Sequence, residues 1–270
     1  MFSGVLSLSK PRFSRLRIVV FGIIPILGLP SISSSQVSRA ASTGTNTVLT
    51  QLFTAFSGGQ IVQSVQLSGN ATWYGGSTED SGVVTLSATA NGSSQLQLSL
   101  ASLGQRTESQ TGTGPGASCQ WTGNDGVQHS VDLGNCWRPD LWFLPAMSLQ
   151  PSLLPTYLGT SDLGLSAVGS EGNSYRHVQN QLAFSSLSTD ISNDLVERST
   201  SDLGLDPTSF LPAVLAYSVH PDNGAAMPVL IEIRYGNYQS TNGVQIPFHI
   251  QRYVNGTLEL DILLSSAQIN

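Results

Sequence analysis

Apolar and polar residues alternate along much of the chain, most regularly from about residue 200 onwards. In the last segment, every second residue from Leu258 to Leu264 is apolar, while Glu259 and Asp261 lie between them. Successive side chains of a β-strand point to opposite faces, so this pattern predicts strands with one buried and one wet face. Antiparallel sheets commonly have such faces. The chain therefore predicts an antiparallel sheet.

Turn signals separate the alternating segments. An Asn-Gly or Asp-Gly pair favours a tight hairpin turn, because both central residues of that turn take positive φ. Five such pairs occur: Asn91-Gly92, Asp125-Gly126, Asn223-Gly224, Asn242-Gly243 and Asn255-Gly256. Their repetition predicts a meander, in which each strand pairs with the next one along the chain.

One segment has helical spacing instead. Apolar residues recur three and four positions apart from Val48 to Phe56, which predicts one apolar stripe on a short helix. Asn46 or Thr47 can cap its start, and Gly58-Gly59 is expected to end it. A helix of this length with one apolar face is expected to lie on the sheet.

The middle of the chain, at about 105–165, is predicted to be an insertion. Residues 105–118 have no apolar face and are predicted to form a loop. Cys119 and Cys136 follow and are the only cysteines. In an oxidising compartment they are expected to form a disulfide, which would contribute roughly 3 kcal/mol by closing the intervening loop.

Residues 137–158 form the most apolar and aromatic stretch of the domain. Four prolines interrupt it at intervals of four to six residues, so short helical turns are expected rather than a long helix. Two interpretations stay open: the stretch is a core plug, or it lines and covers an apolar ligand cavity. The candidate ligand-lining residues are Trp73, Tyr74, Trp121, Trp137, Trp142, Phe143, Met147, Leu153, Leu154 and Tyr157.

The first 40 residues are predicted to be a secretion signal. A basic segment without acids precedes a short apolar run, and small and polar residues follow. The protein is thus expected to be exported, to the periplasm or the extracellular space. No cysteine stands where a lipid anchor would be attached, so no stable membrane anchor is expected after the signal is removed.

Charge narrows the set of partners. The predicted domain, residues 41–270, has no lysine and six arginines against seventeen acidic residues, a net charge of −11. Nucleic-acid binding depends on neutralising phosphates, so no nucleic-acid partner is expected. A hydrophobic small molecule or lipid is the expected ligand class.

The sequence contains no recognised catalytic motif. The four histidines lack metal-ligand spacing, and neither a nucleophile elbow nor a phosphate-binding loop occurs. No enzyme activity, metal or cofactor is therefore predicted. A hydrolase would require His129, His177, His220 or His249 to meet a serine or an acid in a cleft.

Two C-terminal motifs carry a resemblance to a known family. The run Asp206-Pro207-Thr208-Ser209-Phe210-Leu211-Pro212 and the strand pair over 233–247 resemble hairpins of the lipoprotein-carrier superfamily, which includes LolA and LolB. The resemblance implies a mainly β (α+β) fold, a half-open antiparallel β-barrel or curved sheet with a few short helices on its concave face. It also implies a soluble binding protein for lipid-like or acyl ligands. An interaction or structural domain without a small ligand is the alternative, and a hydrolase is a further one.

Overall fold

The computed structural model describes residues 43–75, 79–183, 195–220 and 228–270. The chain divides into two units, 1–38 and 39–270, and every described residue belongs to the second. The predicted secretion signal and the Asn223-Gly224 turn lie outside the described residues. Within the described ranges, no helix is both long enough and apolar enough to cross a membrane.

Thirteen strands and three short or medium helices make up the described fold. The strands are β1 Ser64–Trp73, β2 Asp80–Thr89, β3 Ser94–Leu100, β4 Gly104–Thr111, β5 Ser118–Thr122, β6 Gln128–Ser130, β7 Leu158–Ala167, β8 Ser174–Leu182, β9 Ser201–Leu205, β10 Pro212–Val219, β11 Val229–Thr241, β12 Val244–Val254 and β13 Thr257–Ile269. The helices are α1 Thr43–Ser57, α2 Leu133–Cys136 and α3 Pro145–Ser148. Residues 195–199 are also helical.

All thirteen strands belong to one antiparallel sheet. Its spatial order is β6-β5-β4-β3-β2-β1-β13-β12-β11-β10-β9-β8-β7. Neighbouring strands are consecutive in the chain except for the pair β1 and β13, and β6 and β7 lie at opposite edges. We call β1–β6 the first wing and β7–β13 the second wing. The predicted antiparallel meander with short helices is confirmed.

The sheet is curled so strongly that its wings meet across the concave face. Glu108 on β4 and Arg252 on β12 are five strand positions apart, which is about 24 Å along a flat sheet. Yet Arg252 Nη1 donates to Glu108 Oε2 at 3.0 Å. This contact requires the half-open barrel shape that the sequence resemblance implies.

The turn signals identify the hairpins, but Asn91-Gly92 and Asp125-Gly126 lie in loops longer than two residues, and only their glycines have positive φ. Both residues of Asn242-Gly243 and of Asn255-Gly256 have positive φ, as a two-residue hairpin turn requires. At Asn91-Gly92 only the glycine has positive φ, because β2 and β3 are joined by a four-residue loop, residues 90–93. Helix α1 begins at Thr43, earlier than the predicted Asn46 or Thr47, and ends directly before Gly58.

The loop predicted at 105–118 is wrong, because its first half, residues 105–111, belongs to strand β4. Glu108 lies opposite Leu96 of β3, and Arg106 lies opposite Leu98. Directly opposed residues of an antiparallel pair share a face, and both leucines are fully buried in the core. The inward positions of β4 thus carry charged side chains, which an apolar-alternation pattern cannot detect.

Residues 131–157, which we call the strap, connect β6 at one edge of the sheet to β7 at the other. The short helical turns predicted for residues 137–158 are present as α3 and a 3-10 turn at Pro151–Leu153, and α2 precedes them. Apolar residues of the strap from Leu141 to Leu149 are buried in the same core cluster as the concave face of the sheet and α1. This part of the strap is therefore a core plug.

A buried glutamine fixes the end of the plug. Gln150 is fully buried, and its Oε1 accepts from the backbone N–H of Val62 at 2.8 Å. Its Nε2 donates to the carbonyls of Val62 at 3.0 Å and Met147 at 2.8 Å. Every polar atom of the side chain thus has a partner, and the strap is joined to the segment before β1.

Replacing Gln150 with leucine is expected to lower the free energy of unfolding by about 2–4 kcal/mol. The leucine would leave the buried N–H and C=O of Val62 without partners, and each such group costs about 1–3 kcal/mol. Urea unfolding followed by far-UV circular dichroism measures the change. Gln97→Leu on the exposed side of β3 is the matched control and should stay within about 0.5 kcal/mol of wild type. Equal stabilities of the two variants would contradict the anchoring role.

Candidate functional site

A cavity of about 390 Å³ lies inside the curled sheet, between the two wings and beneath the first half of the strap. The first wing contributes residues of β3, β4 and β5, and the second wing contributes residues of β10, β11, β12 and β13. Val131, Asn135, Arg138 and Trp142 of the strap complete the lining. The volume lies near the lower end of the range of about 300–1,000 Å³ that is usual for small-molecule sites.

A charged cluster lines one wall of the cavity. Arg252 Nε donates to Glu259 Oε2 at 2.7 Å, and Arg106 Nε donates to Glu108 Oε1 at 2.8 Å. Burial raises the pKa of Glu108. The charges of Arg252 and Arg106 and their hydrogen bonds outweigh that effect and lower the pKa to about 2. Glu108 is therefore a carboxylate at neutral pH, and the two arginines and two glutamates of the cluster neutralise one another within the wall.

Aromatic rings surround the same guanidinium groups. The Arg106 guanidinium lies over the Trp121 ring at 4.8 Å and the Trp73 ring at 5.2 Å. Arg252 lies 5.4 Å from the Trp142 ring and 5.7 Å from the Trp73 ring. These are cation–π distances, and the rings hold the flat guanidinium groups in fixed orientations. The wall is thus a rigid mixture of charge and aromatic surface.

Arg138 lies on the strap side of the cavity. Its guanidinium stacks over the Tyr217 ring at 4.0 Å. Its Nη1 is buried and has no hydrogen-bond partner among the described residues. Burial lowers the pKa of Arg138, and the nearby Tyr217 and Asp140 only partly oppose that effect.

Asp140 fastens this part of the strap to the second wing. Its Oδ1 accepts from Asn180 Nδ2 at 2.9 Å, and its Oδ2 accepts from the Ser201 hydroxyl. Asp140 is buried, and burial is the main reason that its pKa is raised from 3.8 to about 6. The two hydrogen bonds and the Arg138 charge lower the pKa but do not offset burial, and Asp202 adds to the rise.

The disulfide joins the strap to the first wing. Cys119 on β5 and Cys136 at the end of α2 are bonded, with their Cα atoms 5.8 Å apart. Cys119 itself lines the cavity. The bridge therefore holds the start of the strap against β5, beside Trp121.

The structure places only some of the ten candidate ligand-lining residues at the cavity. Trp121 and Trp142 line the cavity. Trp73 lies beneath Arg106 and Arg252, just behind the charged wall.

The remaining candidates lie elsewhere. Phe143 and Met147 are fully buried in the core, and Leu154 packs against it. Leu153 and Tyr157 border a second cavity of about 190 Å³ near the β2–β3 loop. Tyr74 is 37% exposed, and Trp137 is half-buried with an Nε1 that has no partner among the described residues.

Sequence reasoning did not identify the charged lining residues Arg106, Glu108, Arg138, Arg252 and Glu259. One signal was available for Arg252. It occupies the same alternating face of β12 as Ile250 and Val254, so a charge stands in a row of apolar side chains. Inward charges of this kind are paired or functional, because burying a lone charge is costly.

A hydrolase would need a histidine that meets a serine or an acid in a cleft, and His177 meets both a serine and an acid. His177 Nδ1 lies 2.8 Å from Ser166 Oγ, and His177 Nε2 lies 2.8 Å from Asp202 Oδ1. The neighbouring Val178 and Leu203 are buried in the core, so His177 and Asp202 point to the outer face of the sheet. The three groups therefore lie outside the cavity, and neither Ser166 nor His177 lines it.

The other histidines have simpler surroundings. His129 stacks on Trp121 at 4.1 Å, and His249 contacts Asp261 at 2.7 Å on the outer face. His220 donates its backbone N–H to the Asn135 side chain at 2.8 Å. Among the described residues, no group of three His, Cys, Asp or Glu side chains could hold a metal ion.

A curled antiparallel sheet with a half-open cavity between its wings, and with short helices and a strap on its concave face, defines a lipoprotein-carrier-like fold. An outer membrane lipoprotein-sorting protein domain from Vibrio parahaemolyticus has this fold, with a TM-score of 0.50 and 7% identity over 84% of this chain and 92% of that one. The fold implied by the sequence resemblance is thereby confirmed.

Two further solved structures are similar at lower TM-scores. A LolA superfamily protein from Nitrosomonas europaea has a TM-score of 0.47 and 11% identity over 84% of this chain and 93% of its own. A DUF1329 family protein from Desulfovibrio piger has a TM-score of 0.49 and 7% identity over 84% and 93%. No protein-family model matches the sequence. No curated protein matches it.

The raised pKa of Asp140 predicts a stability that falls as pH rises. The folded state keeps the proton up to about pH 6, whereas the unfolded state releases it near 3.8. This contribution to stability is complete below about pH 4 and is lost as pH rises through 6, by an amount on the order of 2–3 kcal/mol. Asp140→Asn should remove this part of the pH dependence: its amide oxygen still accepts from Asn180, and its amide nitrogen donates to the Ser201 hydroxyl oxygen, which reverses that bond. Urea unfolding from pH 4 to 7 measures it, with Asp125→Asn in an exposed turn as control; an unchanged profile in Asp140→Asn would refute the assignment.

Glu108 is expected to act in the opposite direction. Its pKa is about 2 in the folded protein against an ordinary 4.5, so its contribution is complete above 4.5 and is lost as pH falls towards 2. Glu108→Gln should lower the free energy of unfolding by about 2–3 kcal/mol at pH 7, because it leaves the two arginines under-compensated. The difference from wild type should shrink at pH 3. Glu197→Gln on the exposed surface is the control, and a constant difference at both pH values would exclude the predicted ionisation.

Proposed function

We propose that this chain is an exported soluble binding protein of the lipoprotein-carrier type, which holds a lipid-like ligand with an acyl chain inside its curled sheet. The observation that carries the proposal is the cavity of about 390 Å³ between the wings, with Trp121 and Trp142 in its lining. Aliphatic residues Leu96, Ile231 and Val254 add apolar surface to the same lining. A chain of methylene groups would gain the favourable free energy of burial against this surface.

The remaining features support a carrier rather than a solid structural domain. The Vibrio domain that shares the fold is described as lipoprotein-sorting, and that description applies to that protein. In this chain the strap plugs the core with one part and borders the cavity with another, so the cavity is a half-open space beside a well-packed core. The predicted signal and the disulfide support export to the periplasm or the extracellular space.

Purification of the protein from its own exported compartment, followed by native mass spectrometry, is the direct experiment. A bound lipid-like molecule that is released on denaturation is the expected result. In parallel, a fluorescent fatty acid should bind the delipidated protein with saturation at one molecule per chain. The absence of both a co-purified lipid and fatty-acid binding would favour an interaction domain without a small ligand.

A variant that fills the cavity sharpens the test. Val131→Trp introduces a large side chain at the roof of the cavity and is expected to weaken fatty-acid binding about tenfold or more. Val83→Trp makes the same change on the outer face, where Val83 is 59% exposed, and should bind like wild type. Circular dichroism confirms that both variants are folded. Equal affinities of the two variants would place the ligand outside this cavity.

A further inference from the structure

The charges of the cavity do not balance, and the imbalance is concentrated on one residue. Three arginines and two glutamates line the cavity. Arg106 and Arg252 share Glu108, and Arg252 also contacts Glu259. All six arginines of the domain are described. Among the described residues, Arg138 forms no ion pair, whereas each of the other five arginines does. The excess positive charge of the cavity therefore belongs to Arg138.

The Asp140 carboxylate attracts Arg138 electrostatically but does not form an ion pair with it. The two oxygens of Asp140 accept hydrogen bonds from Asn180 and Ser201. The Tyr217 ring covers one face of the Arg138 guanidinium at 4.0 Å and fixes its plane, but it offers no acceptor to Nη1. A buried guanidinium with an unpaired donor is costly unless an acceptor meets it.

An arginine without an ion-pair partner is unexpected in a protein with so many acidic residues. The whole sequence has a formal net charge of −6, and seventeen acidic residues are available to neutralise arginines. The lining nevertheless contains an arginine, Arg138, that forms no ion pair with any described carboxylate. An oriented guanidinium with free donors is the side chain that proteins use to bind carboxylate and phosphate groups.

From this geometry we infer that the ligand is a single-chain lipid with an anionic head group, and that Arg138 binds the head group. The acyl chain then lies against Trp121, Trp142 and the aliphatic lining, while the carboxylate or phosphate accepts hydrogen bonds from the Arg138 guanidinium. The inference rests on the proposed function and adds the charge of the ligand. The cavity volume suits one chain rather than several.

The test compares probes that differ only in the head group. Wild-type protein is titrated with cis-parinaric acid, with its methyl ester and with an alkyl amine and an alkyl phosphate of matched chain length, the last two by competition. The acid should bind about tenfold or more tightly than the ester, since a hydrogen bond between charged groups is lost in the ester. The amine should bind most weakly. The tighter of the two anions identifies the head group as carboxylate or phosphate.

Two arginine variants separate a specific contact from overall charge. Arg138→Met should lose the preference for the acid while it keeps the affinity for the ester, which also shows that the cavity is intact. Arg176→Met removes one positive charge at a site that does not line the cavity, where Arg176 is paired with Asp162, and should keep the preference. Arg138→Lys should keep part of it, because lysine retains the charge without the flat fork of donors.

The outcomes distinguish this inference from the proposed function. Equal binding of acid and ester by wild-type protein would overturn the role of Arg138 and leave the carrier function standing. A preference that persists in Arg138→Met would also overturn it. Failure of wild-type protein to bind any of the probes would count against both the inference and the proposed function.

Discussion

The contact between Glu108 and Arg252 sets the shape on which the other features depend. It joins strands that are five positions apart in the sheet, so it exists only when the two wings are curled towards each other. Replacing a buried ion pair by apolar residues is often neutral or stabilising, so the pair is not explained by stability alone. Its geometric effect is clear: it holds the wings at a fixed spacing beside an open volume, where close-packed apolar side chains would have filled the gap.

The same contact explains why the fold was easier to predict than the site. From β10 to β13 the buried positions are mostly apolar, so the alternation reveals the strands. The Asn-Gly turns at 242–243 and 255–256 mark where these strands reverse. On β4 burial and apolar character do not coincide. Arg106 and Glu108 face inwards and are stabilised by partners on distant strands, so a pattern based on hydrophobicity assigned a loop to this segment. A local sequence pattern cannot reveal partners that are 144 residues away.

The strap shows a similar limit in a different form. The sequence leaves a core plug and a cavity cover as alternatives for residues 137–158. In the structure, some residues of the strap are buried in the core and others line the cavity. Phe143 and Met147 are buried in the core, whereas Trp142, their close neighbour in sequence, lines the cavity. Composition could identify the stretch as apolar and aromatic, but which face each ring takes depends on three-dimensional packing. The two predicted tryptophans that do line the cavity lie beside arginines, and those arginines were not predicted.

The pairing of β1 with β13 has a consequence for the order in which the protein acquires its cavity. Strand β13 is the last strand along the chain, yet it occupies the middle of the thirteen-stranded sheet. The walls of the cavity belong to strands on either side of it, so they are held in register only after the final segment has been inserted. Closing contacts of such long sequence separation is slow compared with local pairing. The cavity is therefore a property of the complete sheet: without β13, the remaining strands would form two half-sheets with no cavity held between them.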